Sequence, residues 1–206
     1  MVFRRVLAGL LAAGFATLAM AAPANLEFFL RDDQVVASLP EGWCAPTGRY
    51  VDIAEQLFDA DARHIRYLTL FDCAQMRADQ SVSKVIAIAI PRAMISASIT
   101  RPDLMQAFRT LPGQAPPSAP GTAPRRISLG YDLRVVDLDD YAQYAMGKVS
   151  RRNGDGAVEG VQAIATTALK GHVVAYIINV PGGSDPTALL TSLKAQVRAF
   201  IDANGG

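Results

Sequence analysis

The last third of the chain constrains its fold more than any other stretch. Residues 161–169 and 172–180 are rich in Val, Ile, Ala and Tyr and contain no proline, which predicts two strands buried on most of both faces. Gly171 lies between them and can adopt the positive φ that a two-residue turn requires. The two strands are therefore predicted to form an antiparallel hairpin.

A capped helix is predicted to follow this hairpin. Pro186 suits the first helical position, behind a cap at Ser184 or Asp185. The apolar residues that recur at helical spacing are Leu189, Leu190, Leu193, Val197, Phe200 and Ile201. A helix with such a stripe must bury it, and the hairpin is the nearest sheet that can cover it.

The rest of the sequence predicts a single α+β domain over residues 22–206, in which about three helices pack on a mainly antiparallel sheet. Further strands are predicted at residues 26–30, 34–39, 64–72, 82–90, 127–138 and 141–149. The last of these also fits a short helix, and residues 94–99 fit either a short strand or an extended approach to a helix. Helices are predicted at residues 49–60 and 102–111, the second with Thr100 as its cap.

A proline-rich segment interrupts this pattern at residues 112–124. It holds five prolines and two glycines, so it cannot form a packed element and predicts a long mobile loop. A loop of this length fits a lid or a partner-binding arm, and it also fits a solvent-exposed connection without a role.

The N-terminus has the composition of a secretory signal peptide. Arg4 and Arg5 precede the uncharged apolar residues 6–20, and small residues at Ala19 and Ala21 suit cleavage after Ala21. The uncharged run is shorter than the roughly 20 residues that a spanning helix prefers. The sequence therefore predicts a leader over residues 1–21, a periplasmic or secreted protein, and no stable membrane insertion after cleavage. The alternative is an uncleaved leader that tethers a structural protein to the membrane.

The charge of the chain argues against nucleic acid as a partner. The formal net charge is +1, and it becomes −1 without the leader, which contains two arginines and no acid. No basic stripe is clustered in the sequence, whereas nucleic-acid-binding proteins need one to neutralise phosphates.

Two cysteines, Cys44 and Cys73, follow the leader. In an oxidising compartment an even pair most simply forms one disulfide. The alternatives are a zinc site with His64 and His172, or a reactive thiol, although close paired metal-ligand spacing is absent.

The motifs that carry catalysis or bind cofactors are absent or out of context. Residues 81–84 spell S-x-x-K, but they run into a predicted strand, whereas penicillin-recognising enzymes place this motif on a helix. His64 and His172 are the available imidazole bases, and both start predicted strands. Asp32–Asp33, and Asp137 with Asp139–Asp140, fit a cation or acid–base site and equally fit turns and caps. The sequence predicts no catalytic residue, metal or cofactor site.

Two segments resemble Mog1/PsbP-like domains. The strand that ends in Leu39-Pro40-Glu41-Gly42-Trp43 resembles the opening of those domains, and the hairpin and helix at residues 161–203 are similar to their close. The resemblance covers about a third of the chain and implies a small accessory or binding module rather than an enzyme. The functional hypothesis is therefore an exported, non-catalytic module that binds an unknown small molecule or envelope protein. The alternative is a hydrolase with an unrecognised Ser, Asp or His site.

Overall fold

A computed structural model describes residues 25–59, 61–111, 132–153 and 156–205. The predicted leader and the proline-rich segment at residues 112–124 lie outside the described residues, as do residues 127–131 of one predicted strand. The strands are β1 (Asn25–Leu30), β2 (Asp33–Ser38), β3 (Trp43–Cys44), β4 (His64–Asp72), β5 (Val85–Pro91), β6 (Asp132–Leu138), β7 (Gln143–Asn153), β8 (Gly156–Leu169) and β9 (His172–Pro181). The helices are α1 (Arg49–Asp59), α2 (Cys73–Arg77), α3 (Arg101–Thr110) and α4 (Pro186–Asp202), with a 3-10 turn at Arg92–Met94.

The described strands form one large antiparallel sheet and one small hairpin. The large sheet has seven strands in the order β3-β4-β5-β9-β8-β7-β6, and β1 pairs with β2 alone. This arrangement confirms the predicted single α+β domain. The described residues include three helices of ten residues or more and the short α2.

The C-terminal unit forms as its sequence predicts. Lys170 and Gly171 take φ values of 48° and 81°, which makes the two-residue turn that joins β8 to β9. The Asp185 carboxylate caps α4 by accepting a 2.9 Å hydrogen bond from the Thr187 N–H. Ser184, the other candidate cap, instead donates its hydroxyl to the Pro181 carbonyl.

Helix α4 covers one face of the large sheet, which we call the α4 face. Its buried side chains are Leu189, Leu193, Val197, Phe200 and Ile201. They form one cluster with large sheet residues such as Ile86, Ile88, Tyr176 and Ile178, and with Leu30 and Val35 of the small hairpin. Each such side chain contributes roughly 1.5–3 kcal/mol by leaving water, so this cluster holds the fold together.

Helices α1 and α3 pack on the opposite face, which we call the α1/α3 face. Tyr50 of α1 packs against Phe71 at one end of the sheet, and Leu104 and Met105 of α3 pack near Val173 at the other. The disulfide Cys44–Cys73 links β3 to the start of α2, on either side of α1 in the chain. The predicted disulfide is confirmed, and it excludes the zinc and free-thiol alternatives at these cysteines.

Strand β5 starts later than predicted, and two other segments resolve alternatives that the sequence left open. Strand β5 starts at Val85 rather than at residue 82, because the Gln75 side-chain oxygen accepts from the N–H groups of Ser83 and Lys84 and takes the place of a strand partner. Residues 81–84 are not helical, so the S-x-x-K spelling lacks the conformation that its chemistry needs. The first part of residues 94–99 completes the 3-10 turn and the rest is an extended approach to α3, and residues 143–153 form a strand rather than a helix.

A candidate ligand-binding cavity

Small side chains leave space on the α1/α3 face. Along β5 the large residues Ile86 and Ile88 point to the α4 face, whereas Ala87 and Ala89 share the other face with Ala175 of β9. A methyl group is too short to fill the layer between a sheet and its helices, so this part of the face is a depression between α1 and α3.

The depression forms a cavity of about 710 Å³. This volume lies within the range of small-molecule sites, which are about 300–1,000 Å³ and mainly apolar. Its apolar wall includes Met94, Leu104, Phe108, Leu133, Ile164 and Val173, and Ala145 and Ala175 form part of its floor.

Polar side chains lie at defined places on this apolar surface. Gln143 and Thr166 face each other across β7 and β8, and both line the cavity. Arg63, His64 and Arg92 line it where β4 begins and β5 ends. An apolar wall with a few polar groups is the arrangement by which proteins bind and orient small molecules.

A buried ion cluster centred on Asp61 adjoins this end of the cavity. One carboxylate oxygen accepts from the backbone N–H groups of Arg63 and His64 at 3.1 Å and lies 3.2 Å from His64 Nδ1. The other oxygen accepts from Nε and Nη2 of Arg66 at 3.3 and 3.2 Å. The Asp61 and Arg66 side chains are only 8% and 10% exposed. The cluster therefore fixes the segment that forms one wall of the cavity.

The pKa of Asp61 reflects this pairing. Burial alone would raise the pKa of the carboxyl group. Hydrogen bonds from His64 and from the Arg63 backbone, together with the charges of His64 and Arg66, outweigh burial and hold the pKa well below its usual range. Asp61 is thus an anion at every physiological pH, and it serves as the counter-charge of Arg66.

The two histidines lie at the starts of β4 and β9, as predicted, and each is paired with an acid. His172 Nε2 lies 2.9 Å from Asp33 Oδ2, and His64 pairs with Asp61. Among the described residues neither imidazole is hydrogen-bonded to a serine or threonine hydroxyl, so the structure assembles no serine-type triad around them.

Asp137, Asp139 and Asp140, which the sequence also names, make structural contacts. Asp137 pairs with Lys194 of α4, and Asp140 with Arg109 of α3. Asp139 accepts from the backbone of Tyr141 and Ala142 and contacts Arg198 and the Tyr144 hydroxyl. Within the described ranges, no group of three or more His, Cys, Asp or Glu side chains is placed to hold a metal ion. These acids tie the β6–β7 turn to the helices.

A second cavity of about 390 Å³ lies farther along the α1/α3 face and is lined by Asn179. Gln162 Nε2 donates to Asn179 Oδ1 at 3.0 Å, across the register pair that β8 and β9 make. Gln162 Oε1 and Asn179 Nδ2 are buried and have no hydrogen-bond partner among the described residues. Each unpaired buried group costs about 1–3 kcal/mol, so this amide pair is a source of instability.

Replacing this amide pair with apolar side chains tests that cost. We expect the single variant Asn179→Leu to lower the free energy of unfolding by about 1–2 kcal/mol, because Gln162 loses its remaining partner. The double variant Gln162→Met/Asn179→Leu should equal or exceed the wild type, since it removes both unsatisfied groups. Urea denaturation of the three proteins measures this. A double variant that is no more stable than Asn179→Leu would show that the amides are satisfied in the wild type.

The sequence reasoning missed the cavity and the Asp61–Arg66 cluster. A signal for the cavity was present in Val85-Ile86-Ala87-Ile88-Ala89-Ile90, where large and small residues alternate. Such alternation marks one crowded and one shallow sheet face. The sequence signal for the Asp61–Arg66 cluster is weaker. An acid precedes His64 and Arg66, which occupy alternate strand positions, and this pattern is also common on exposed strands.

Comparisons with known proteins leave this geometry as the main source of functional information. No protein-family model matches the chain, and no curated protein sequence matches it either. In the part of the chain that is described, no helix is both long enough and apolar enough to cross a membrane.

Proposed function

We propose that the protein is an exported, non-catalytic binding module that holds a small, largely apolar ligand in the 710 Å³ cavity. The observation that carries this proposal is the cavity itself, an apolar space on the shallow sheet face with polar groups gathered mainly at one end. The resemblance of both ends of the chain to Mog1/PsbP-like domains favours an accessory role of the same kind.

Two further observations support this proposal. Neither described histidine has a hydroxyl nucleophile as a hydrogen-bond partner, which disfavours the hydrolase alternative. The Cys44–Cys73 disulfide is compatible with an oxidising compartment such as the periplasm or the medium. We therefore propose export and an accessory role together with the binding function.

Filling the cavity tests the proposal. Ala175 is buried on the cavity floor, so Ala175→Leu places three added carbon atoms in the space that a ligand would occupy. We expect this variant to bind the neutral fluorescent probe N-phenyl-1-naphthylamine at least tenfold more weakly than the wild type. Its unfolding temperature should stay equal or rise, because the added carbons fill a void rather than overpack a filled core.

The matched control is Ala199→Leu, the same substitution at an exposed position of α4. This control should bind the probe as the wild type does. Equal probe affinity in the wild type and in Ala175→Leu would reject the cavity as the binding site. Native mass spectrometry of the protein isolated gently from its own envelope would then show whether any small molecule accompanies it.

A further inference from the structure

His64 of β4 lies on the sheet face that carries the cavity. It is in register with Pro91 of β5, and Arg66, two residues further on, is in register with Ala89 of the α1/α3 face. Alternate residues of a strand point to the same face, so the His64 imidazole points to this face as well. His64 lines the polar end of the cavity, and only 15% of its side chain is exposed. The cavity wall therefore contains a largely buried imidazole.

One edge of this imidazole is paired and the other is open. Nδ1 lies 3.2 Å from Oδ1 of Asp61. The buried side-chain atoms that lack a hydrogen-bond partner in the described ranges are Arg66 Nη1, Gln162 Oε1 and Asn179 Nδ2. Nε2 of His64 has no partner there either, but it is not one of these buried atoms, so it keeps accessible surface. A molecule in the cavity can therefore reach Nε2.

The paired edge determines where the hydrogen of the neutral ring lies. The pKa of Asp61 lies well below its usual range, so the oxygen next to Nδ1 is anionic and can only accept a hydrogen bond. Nδ1 must therefore carry the hydrogen, which leaves the lone pair of the neutral imidazole on Nε2. The open edge of His64 thus offers a hydrogen-bond acceptor to the cavity.

The surroundings disfavour a charged group at this position. A carboxylate has no hydrogen to donate to Nε2, and the Asp61 anion on the other edge of the ring repels it. Arg63 and Arg92 also line this end, but both are exposed, so an ion pair with either contributes little. An ammonium group would leave water for a mainly apolar space beside these two guanidinium groups. A neutral hydroxyl group donates to Nε2 without these costs.

We propose that the ligand of this cavity is a neutral, largely apolar alcohol or phenol whose hydroxyl group donates a hydrogen bond to Nε2 of His64. The inference rests on the proposed function, since it assigns a chemical class to the ligand of the same site. Asp61 is then a positioning residue, because it fixes the orientation of the ring and the place of its hydrogen. The apolar part of the ligand fills the rest of the cavity.

Three compounds with the same pentylphenyl body test this inference, namely 4-pentylphenol, 4-pentyltoluene and 4-pentylbenzoate. Competition against N-phenyl-1-naphthylamine at about pH 8.5 gives their affinities, and at this pH the phenol is neutral and the benzoate is an anion. A hydroxyl group that leaves water without gaining a partner weakens binding by roughly tenfold relative to a methyl group. We therefore expect the wild type to bind the phenol at least as tightly as the toluene, and at least tenfold more tightly than the benzoate.

The variant His64→Asn removes the open edge of the ring, while its amide can still donate to Asp61 as Nδ1 does. It should bind 4-pentylphenol about tenfold more weakly than the wild type and 4-pentyltoluene within about twofold. His64→Gln, whose longer amide can reach the position of Nε2, should recover much of that loss. The matched control is His172→Asn, because His172 is also paired with an acid but does not line the cavity. This control should bind all three compounds as the wild type does.

Three results would overturn the inference and leave the proposed function standing. They are a wild type that binds the phenol tenfold more weakly than the toluene, a preference for the benzoate, and a folded His64→Asn that weakens phenol and toluene equally. If none of the three compounds displaces the probe, the proposed function fails as well.

Nitrogen NMR of the wild type at the same pH decides the question if His64→Asn does not fold. The signal of the unprotonated Nε2 should move toward that of a protonated nitrogen on saturation with 4-pentylphenol, and should not do so with 4-pentyltoluene. An Nε2 that is protonated before any ligand is added, or whose signal the phenol does not move, would also overturn the inference.

Discussion

Removal of the Cys44–Cys73 disulfide should lower the free energy of unfolding by about 3.5 kcal/mol at 25 °C. The two cysteines are 29 residues apart in the chain. Cross-linking a loop of that length restricts the unfolded ensemble by about this amount in the chain-entropy description. For a chain of about 200 residues the corresponding fall in unfolding temperature is roughly 10 °C. Chemical and thermal denaturation of Cys44→Ala/Cys73→Ala measures both values.

The loss of stability on removal of the disulfide should also be concentrated in and around α1. The disulfide closes a loop of the chain that contains α1. Tyr50 of α1 packs on Phe71 in a small cluster that is separate from the core cluster packed by α4. Hydrogen exchange should therefore speed up in α1 more than in α4. Because Cys73 is buried, alanine also removes some packing, and a reductant added to the wild type isolates the cross-link itself. A change below about 1 kcal/mol in both experiments would mean that the native fold gains little from this bond.

Replacing Asp61 with asparagine should cost about 3 kcal/mol at pH 7. The neutral amide of Asp61→Asn would keep some backbone hydrogen bonds but would leave the buried Arg66 guanidinium without its counter-charge. Breaking a buried ion pair from one side typically costs 3–5 kcal/mol, because the remaining charge stays desolvated. The matched control is Asp79→Asn, which breaks the exposed pair of Asp79 with Arg49 and should change stability by less than about 1 kcal/mol.

This prediction carries a pH dependence. The folded-state pKa of Asp61 is depressed, so its contribution is fully present above the unfolded-state pKa, which is about 4. The contribution is lost as the pH falls through the folded-state pKa. The stability difference between the wild type and Asp61→Asn should thus be present at pH 5 and should shrink as the pH falls below about 4. A difference that is already small at pH 7 would show that Arg66 finds another partner or water.

Much of the fold could be predicted from the sequence because its signals are local. The β8–β9 hairpin follows from β-rich segments around Gly171, and α4 follows from Asp185, Pro186 and a regular apolar stripe. The disulfide follows from an even cysteine count. Each of these features depends on residues that are adjacent in sequence or on composition alone.

The cavity could not be predicted in this way because it depends on strand register. Ala89 and Ala175 are 86 residues apart, and only the antiparallel pairing of β5 with β9 puts them side by side on one face. The ion pair of Arg66 with Asp61 depends further on the burial of the Arg66 side chain, whereas arginine side chains are usually exposed. A single sequence does not specify which of its charged residues becomes buried against such a face.

The most direct test of a ligand cavity on the α1/α3 face is methyl NMR during a titration with N-phenyl-1-naphthylamine. The proposed binding site predicts saturable shifts of methyl groups in the cavity wall, namely those of Met94, Leu104, Leu133, Ile164 and Val173. Methyl groups of the α4 face, such as those of Ile86, Ile178, Leu193 and Val197, should not move. Shifts confined to the α4 face, or no saturable shift at any wall residue, would contradict the assignment of this cavity as a binding site.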